Sequence, residues 1–171
     1  MKVYDGSQAA GTEPTERIKV GIAEYDVSVD GAVLTTSGLG SCIGVAIHDE
    51  AEGVSGLVHV MLPTAEDVDG GNPAKFADTG VETLVDALED SGADRSSMTA
   101  KIAGGSDMLD FSKNGSGIGA RNLTAVRETL ESLDIPVVEA DVGGDHGRSL
   151  RLEGDTGDLI VKSANREEKR L

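Results

Sequence analysis

Alternation of apolar and polar positions marks the first part of the chain. Ile18, Val20 and Ile22 are separated by Lys19 and Gly21, and Val27 and Val29 repeat the spacing. A period of two puts alternate side chains on one face, so both segments read as half-buried strands. Asp30-Gly31 is a turn signal, and Ala32 to Thr36 reads as a further strand entering a glycine loop, Ser37 to Ser41. Ile43 to Ile47 and Val54 to Leu62 do not alternate. They are short, rich in β-branched residues and bounded by turn residues, the pattern of buried strands. Asp49 to Gly53 would be the hairpin loop between them.

Beyond Pro63 the period changes. Phe76, Gly80, Leu84 and Leu88 are four apart, with Val81 and Val85 beside them, which predicts a helix over 74–88 that stops near Gly92. Thr99 to Ala103 reads as a strand before Gly104-Gly105, and a loop rich in Gly and Ser runs from Ser106 to Gly119. Leu123, Val126, Leu130 and Leu133 mark a second helix, ended by Pro136. A strand follows from Val137 to about Val142. Leu150 to Leu152 and Leu159 to Val161 flank Gly154–Gly157 as a hairpin. The expected fold is α/β: a layered α/β sandwich of antiparallel-rich β-sheets with two main outer helices. Residues 1–16 lack periodicity and read as a flexible extension, 17–163 as one domain, and 164–171 as a charged tail expected to fray.

Composition narrows the picture. Hydrophobic residues make up 38% of the chain, with two Phe, two Tyr and no Trp, so the core must be aliphatic. No apolar run approaches the ~20 residues of a membrane-spanning helix. Met1 to Arg17 is polar and lacks the apolar stretch of a signal peptide, which predicts a cytoplasmic protein. The 31 acids against 15 bases give a net charge of −16, which argues against nucleic acid or anionic membranes as partners. The acids are spread along the chain. Their mutual repulsion is screened only at high ionic strength, where the Debye length falls to ~3 Å at 1 M, so a high-salt cytoplasm is the expected setting.

The candidate chemistry centres on Cys42, the only cysteine, in Leu39-Gly40-Ser41-Cys42-Ile43-Gly44. A single thiol forms neither an internal disulfide nor a cysteine zinc site. It is either an inert core residue or a nucleophile. Backbone N–H groups of the glycine turn could lower its pKa and bind an oxyanion. His59, seventeen residues on, sits in the apolar run of the neighbouring strand, where an antiparallel pairing could bring the two together. Thr36 could accept a hydrogen bond from the imidazole and fix its tautomer. From spacing alone, a hydrogen-bonded core histidine and a packed cysteine are the commoner outcome. Asp141, Asp145 and His146 are weighed as metal ligands and set aside, because they lie in a glycine turn of an acid-rich chain. Gly115 to Gly119 lacks the strand and lysine of a phosphate loop. No metal or cofactor is expected. A redox sensor would need a resolving cysteine, and there is none.

A set of ordered motifs adds to this reading: Thr36-Ser37-Gly38-Leu39-Gly40-Ser41-Cys42, Gly56-Leu57-Val58-His59-Val60-Met61-Leu62-Pro63, Ala100-Lys101-Ile102-Ala103-Gly104-Gly105, Ile118-Gly119-Ala120-Arg121-Asn122, and Asp141-Val142-Gly143-Gly144 with Gly147-Arg148. Together they resemble the CheD family, the chemoreceptor glutamine deamidases of bacterial and archaeal chemotaxis. The resemblance runs from about Ile18 to Val161, and with the charge it suggests a halophilic archaeon as the source. It implies a fold similar to the catalytic domain of cytotoxic necrotizing factor. It also implies a Cys-His-Thr triad at Cys42, His59 and Thr36, with the backbone around Gly40 and Ser41 holding the oxyanion. The implied enzyme is a protein-glutamine glutaminase acting on cytoplasmic chemoreceptor domains. A CheC-like phosphatase is the implied partner, and a mainly regulatory, non-enzymatic role in that complex is the alternative. Arg121 and Asn122 are expected near the site. Ser106 stands where family members often have alanine. The charge reading predicts that the midpoint of thermal unfolding rises as KCl is raised from low to molar concentration; a flat or falling midpoint would contradict it.

Overall fold

A computed structural model describes residues 16–65, 71–107, 117–163 and 166–171. The expected N-terminal extension lies outside the described residues, as does the Gly115-Ser116 part of the glycine-rich loop. The described strands are β1 (Arg17–Lys19), β2 (Tyr25–Ser28), β3 (Val33–Leu39), β4 (Ile43–Asp49), β5 (Val54–Val60), β6 (Met98–Gly104), β7 (Val137–Val142), β8 (Arg148–Leu152), β9 (Leu159–Ser163) and β10 (Lys169–Arg170). The helices are α1 (Ala77–Asp90) and α2 (Ile118–Ser132). One sheet has the order β1-β3-β8-β9-β10 and the other β2-β5-β4-β6-β7. Most pairs are antiparallel; β1–β3 and β6–β7 are parallel. The layered, antiparallel-rich α/β architecture expected from the sequence is the one observed.

The two faces of β4 explain its unbroken apolar run. Ile43, Val45 and Ile47 belong to the core that α1 and α2 complete with Val81, Leu84, Val126 and Leu130. Ala46 instead joins Leu34, Leu39, Leu57, Leu150, Leu152 and Leu159 in a second core between the two sheets. The layers are therefore helices, inner sheet, outer sheet. Both helices lie on one side, and neither covers the far face of the outer sheet.

Two residues define how the sheets meet. Gly44 lies opposite His59 on β5 and Ala103 on β6. A Cβ at Gly44 would overlap a methyl of Leu150 from the outer sheet, so the glycine permits close approach there. The C-terminus, expected to fray, is paired instead. Lys169 and Arg170 join β9, and Leu171 exchanges backbone hydrogen bonds with Leu159 at 3.3 and 2.8 Å. The reason is Leu171 itself, an apolar end residue that packs on the inter-sheet core. Gly44→Val should destabilise the fold by about 2 kcal/mol, read from the midpoint of urea unfolding, because overpacking has no room to relax between sheets.

Candidate active site

Thr36, Cys42 and His59 converge on the space between the sheets. His59 shares its face of β5 with Leu57, an inter-sheet core residue, and is completely buried. Thr36 shares its face of β3 with Leu34 and points at His59 from the other sheet. Its hydroxyl lies 2.8 Å from His59 Nδ1, and both groups are buried. This hydrogen bond spans the two sheets. Gly44 faces His59 directly, so Cys42, two positions earlier, is the diagonal neighbour on that face, with Cα atoms about 7–8 Å apart. Cys42 is half-buried and packs against the inter-sheet core. His59 Nε2 is buried and has no hydrogen-bond partner among the described residues.

Electrostatics set the resting protonation. Burial pushes His59 down from 6.5 to about 4, so the imidazole is neutral at neutral pH. Burial also raises the Cys42 thiol, and its own backbone N–H only partly offsets that. The glycine turn was expected to lower the thiol pKa; desolvation wins instead. The resting pair is a neutral thiol and a neutral base.

The loop before Cys42 is held by its carbonyls. Gly40 accepts from the Ser106 amide at 2.9 Å, and Cys42 from the Gly105 amide at 2.9 Å. Between them, the Ser41 carbonyl accepts from Asn122 Nδ2 at 2.9 Å. The same nitrogen donates to the Met61 carbonyl at 2.9 Å, two residues past His59. Fully buried Asn122 thus clasps the chain after the histidine to the chain before the cysteine. Gly104, at φ 118°, is where β6 turns away; a Cβ there would overlap the Cys42 carbonyl. Gly40 N–H donates to the Gly38 carbonyl at 3.2 Å, so of the expected oxyanion donors it is already engaged.

Arg148 braces the same region from below. Its guanidinium meets Asp141 at 3.3 Å and the carbonyls of Gly104 and Gly143 at 3.4 and 3.0 Å. Asp141, weighed as a metal ligand from sequence, is an ion-pair partner of Arg148 and of Lys169 at 3.2 Å. Burial pushes its carboxyl up, but the hydrogen bonds from those two cations outweigh it and hold it below the usual range. No group of three metal-ligating side chains occurs among the described residues.

The roles of Asn122 and Arg148 are not assigned by sequence reading, yet both left a signal. Asn122 is four positions before Val126 and eight before Leu130, a polar residue on the apolar stripe of α2. Arg148 alternates with Leu150 and Leu152, a charge on the inward face of β8. Polar groups on core-facing positions require partners there.

Comparison with known proteins bears on the family. The family model described as CheD chemotactic sensory transduction matches residues 61–163. A Haloarcula marismortui protein named "Probable chemoreceptor glutamine deamidase CheD" is 66% identical over 167 residues, covering 96% of each chain. A Natronomonas pharaonis protein of the same name is 46% identical over 163 residues, 95% of this chain and 97% of the other. The chain belongs to the CheD family. A Halalkalibacterium halodurans relative, "Chemoreceptor glutamine deamidase CheD", is 39% identical over 158 residues, 90% of this chain and 98% of its own. A crystallised Neisseria meningitidis protein of the DUF152 family shares the fold, with a TM-score of 0.54 at 12% identity over 85% of this chain and 73% of that one. The CheD family match begins at Met61, just past His59, so the candidate site residues rest on the geometry.

Asn122→Ala leaves two buried carbonyls unpartnered and should cost about 1–3 kcal/mol in urea unfolding. Asn122→Asp, which turns a carboxylate toward those carbonyls, should be the less stable of the two at pH 7.

Proposed function

We propose that this protein is a chemoreceptor glutamine deamidase, with Cys42 as nucleophile, His59 as general base and acid, and Thr36 as the residue that orients the imidazole. The observation that carries the reading is the buried Thr36–His59 hydrogen bond on the face that Cys42 shares. Two sheets contribute the pair, and an isolated buried histidine would not need that particular partner beside a thiol. With Nδ1–H donating to Thr36 Oγ1, Nε2 carries the lone pair. With no hydrogen-bond partner among the described residues, it can serve the thiol on the same face. Active-site hydrogen bonds that are long in a free enzyme tighten when substrate is bound.

The chemistry then balances. His59 Nε2 takes the Cys42 proton as the sulfur attacks the carboxamide carbon of a receptor glutamine. The carbonyl oxygen becomes an oxyanion beside the Ser41 and Cys42 amides, since the Gly40 amide is engaged elsewhere. The C–N bond breaks, the proton on His59 passes to the leaving nitrogen, and ammonia departs. Water attacks the thioester with His59 accepting its proton; the C–S bond breaks and the proton returns to sulfur. The product is a glutamate side chain. Because the resting thiol and imidazole are both neutral, proton transfer accompanies attack rather than preceding it.

A purely regulatory partner of a CheC-like phosphatase would use the same surface, but it would have no need of the Thr36–His59 pair. We assign such a phosphatase the role of a competitor for the cleft. A cytoplasmic receptor domain as substrate supports a cytoplasmic reaction. No described helix is long and apolar enough to cross a membrane.

Mass spectrometry of a receptor cytoplasmic domain incubated with the protein at high salt should show Gln-to-Glu conversion. Cys42→Ala should abolish it, and His59→Ala should lower it about 10²–10⁴-fold, with both variants folded; a wild-type rate in either would overturn the assignment. The pH dependence follows from the shifts. His59 has its folded pKa depressed, so burying it neutral contributes stability above 6.5 that is lost as pH falls toward about 4. The stability difference between wild type and His59→Gln should therefore shrink over that window in urea unfolding. Alkylation of Cys42 by iodoacetamide should accelerate into the alkaline range, beyond the ordinary thiol midpoint.

A further inference from the structure

The far face of the outer sheet has a charge opposite to that of the molecule. The register aligns Lys19, Thr35, Arg151, Ile160 and Arg170 in one row across five strands. Arg17 precedes Lys19 by two positions on β1, and Lys162 follows Ile160 by two on β9. Those spacings place both on the same face. Arg17, Lys19, Arg151 and Lys162 line a depression of about 230 Å³ together with Glu168, and Thr36 and Ser37 are also among its lining residues. The depression therefore reaches where the nucleophile's loop begins.

These four cations are distinctive in a chain of 31 acids and 15 bases. Ion pairs among the described residues engage Arg95, His146, Arg148, Lys169 and Arg170, and none engages Arg17, Lys19, Arg151 or Lys162. Lys19 and Arg151 are two strands apart, about 10 Å. Four like charges with no ion-pair partner among the described residues repel one another at such spacing, and neither helix covers them. A fold that needed only solubility would carry acids here, as it does elsewhere.

We propose that this face docks an acidic polypeptide segment adjoining the target glutamine, so that the enzyme selects glutamines flanked by Glu or Asp. The inference rests on the deamidase reading for the word "target" and on charge complementarity for the docking itself. Carboxylates of the segment would pair with Lys19, Arg151 and Lys162, while the neighbouring glutamine enters past Ser37 toward Cys42. Without this face, a net charge of −16 would repel such a segment. A nucleic acid is a poorer occupant, because its uniform charge would extend past the depression onto the acidic remainder of the surface. At high salt long-range steering is screened, so the selection works through direct ion pairs in the depression.

The test uses two helical peptides with a central glutamine, one flanked by glutamates and one by glutamines, at a fixed molar KCl. Binding is measured by fluorescence anisotropy to the Cys42→Ala protein, and turnover by ammonia release from the Cys42 protein. The acidic peptide should bind about tenfold or more tightly than the neutral one. Adding Lys19→Glu, Arg151→Glu and Lys162→Glu together should remove that preference and raise KM with kcat retained. Iodoacetamide alkylation of Cys42 should be unchanged, which separates docking from damage to the site. The milder Lys19→Gln and Lys162→Gln changes at exposed positions, and Arg151→Gln at a half-buried one, should each give a part of the loss. Equal binding of both peptides, or an undiminished preference after charge reversal, would overturn the proposal. Tighter binding of a single-stranded oligonucleotide than of the acidic peptide would do the same. Selective binding without turnover would uphold the docking face and remove the deamidase reading; turnover without charge preference would do the reverse.

Discussion

The arrangement of the site depends on one hydrogen bond between two sheets. Stacked sheets lie about 10 Å apart, too far for backbone contact, so only side chains communicate between them. Thr36 and His59 fill that gap at 2.8 Å in a region otherwise packed with leucine. In such surroundings an unpaired ring nitrogen is costly, and Thr36 satisfies one of the two. The other, Nε2, stays unpaired among the described residues. A core selected only for stability would have partnered it or replaced the histidine with an aliphatic residue. The unsatisfied nitrogen on the face of a half-buried thiol is what gives the pair its chemical meaning.

Everything around that bond limits motion. Three consecutive carbonyls before and at Cys42 are held by Ser106, Asn122 and Gly105. With the carbonyls anchored behind it, the loop is preorganised, and preorganised donors cost no rearrangement when negative charge develops. Asn122 matters most in this respect because one side-chain nitrogen fixes both the Cys42 loop and the end of the His59 strand. Arg148 then ties β6, β7 and β8 together beneath the loop. The glycines at 44 and 104 serve proximity, admitting a leucine methyl at one and the Cys42 carbonyl at the other.

The three-layer order divides the surface into regions with different tasks. Helices cover one face of the inner sheet and do not reach the far face of the outer sheet. The chain as a whole carries an acidic excess, while this face gathers Arg17, Lys19, Arg151 and Lys162, without ion-pair partners among the described residues, beside the strand that leads to the Cys42 loop. A charge pattern that is uniform along the sequence becomes polarised only when distant strands are laid side by side.

Periodicity by itself determined the elements. The unbroken run at β4 and the four-residue spacing in α1 and α2 follow from local geometry, because side-chain direction repeats at two or 3.6 residues. The alternation around Ile18 overran: β1 ends at Lys19, and Ile22 and Val29 are exposed. The motifs around Cys42 and His59 likewise marked the candidate pair, and the ordered set identified the family. Three things came only from the tertiary structure. Pairing of β3 with β8 joins segments more than a hundred residues apart, and no local signal encodes such a partner. That pairing places Thr36 in a second sheet across from His59, rather than beside it on a neighbouring strand. Burial then reversed the expected thiol shift, since desolvation depends on what packs around Cys42 and not on its sequence neighbours. The C-terminus followed the same logic: Leu171 reads as the end of a charged tail, but a vacant edge of the outer sheet and an apolar core within reach make it a packed residue.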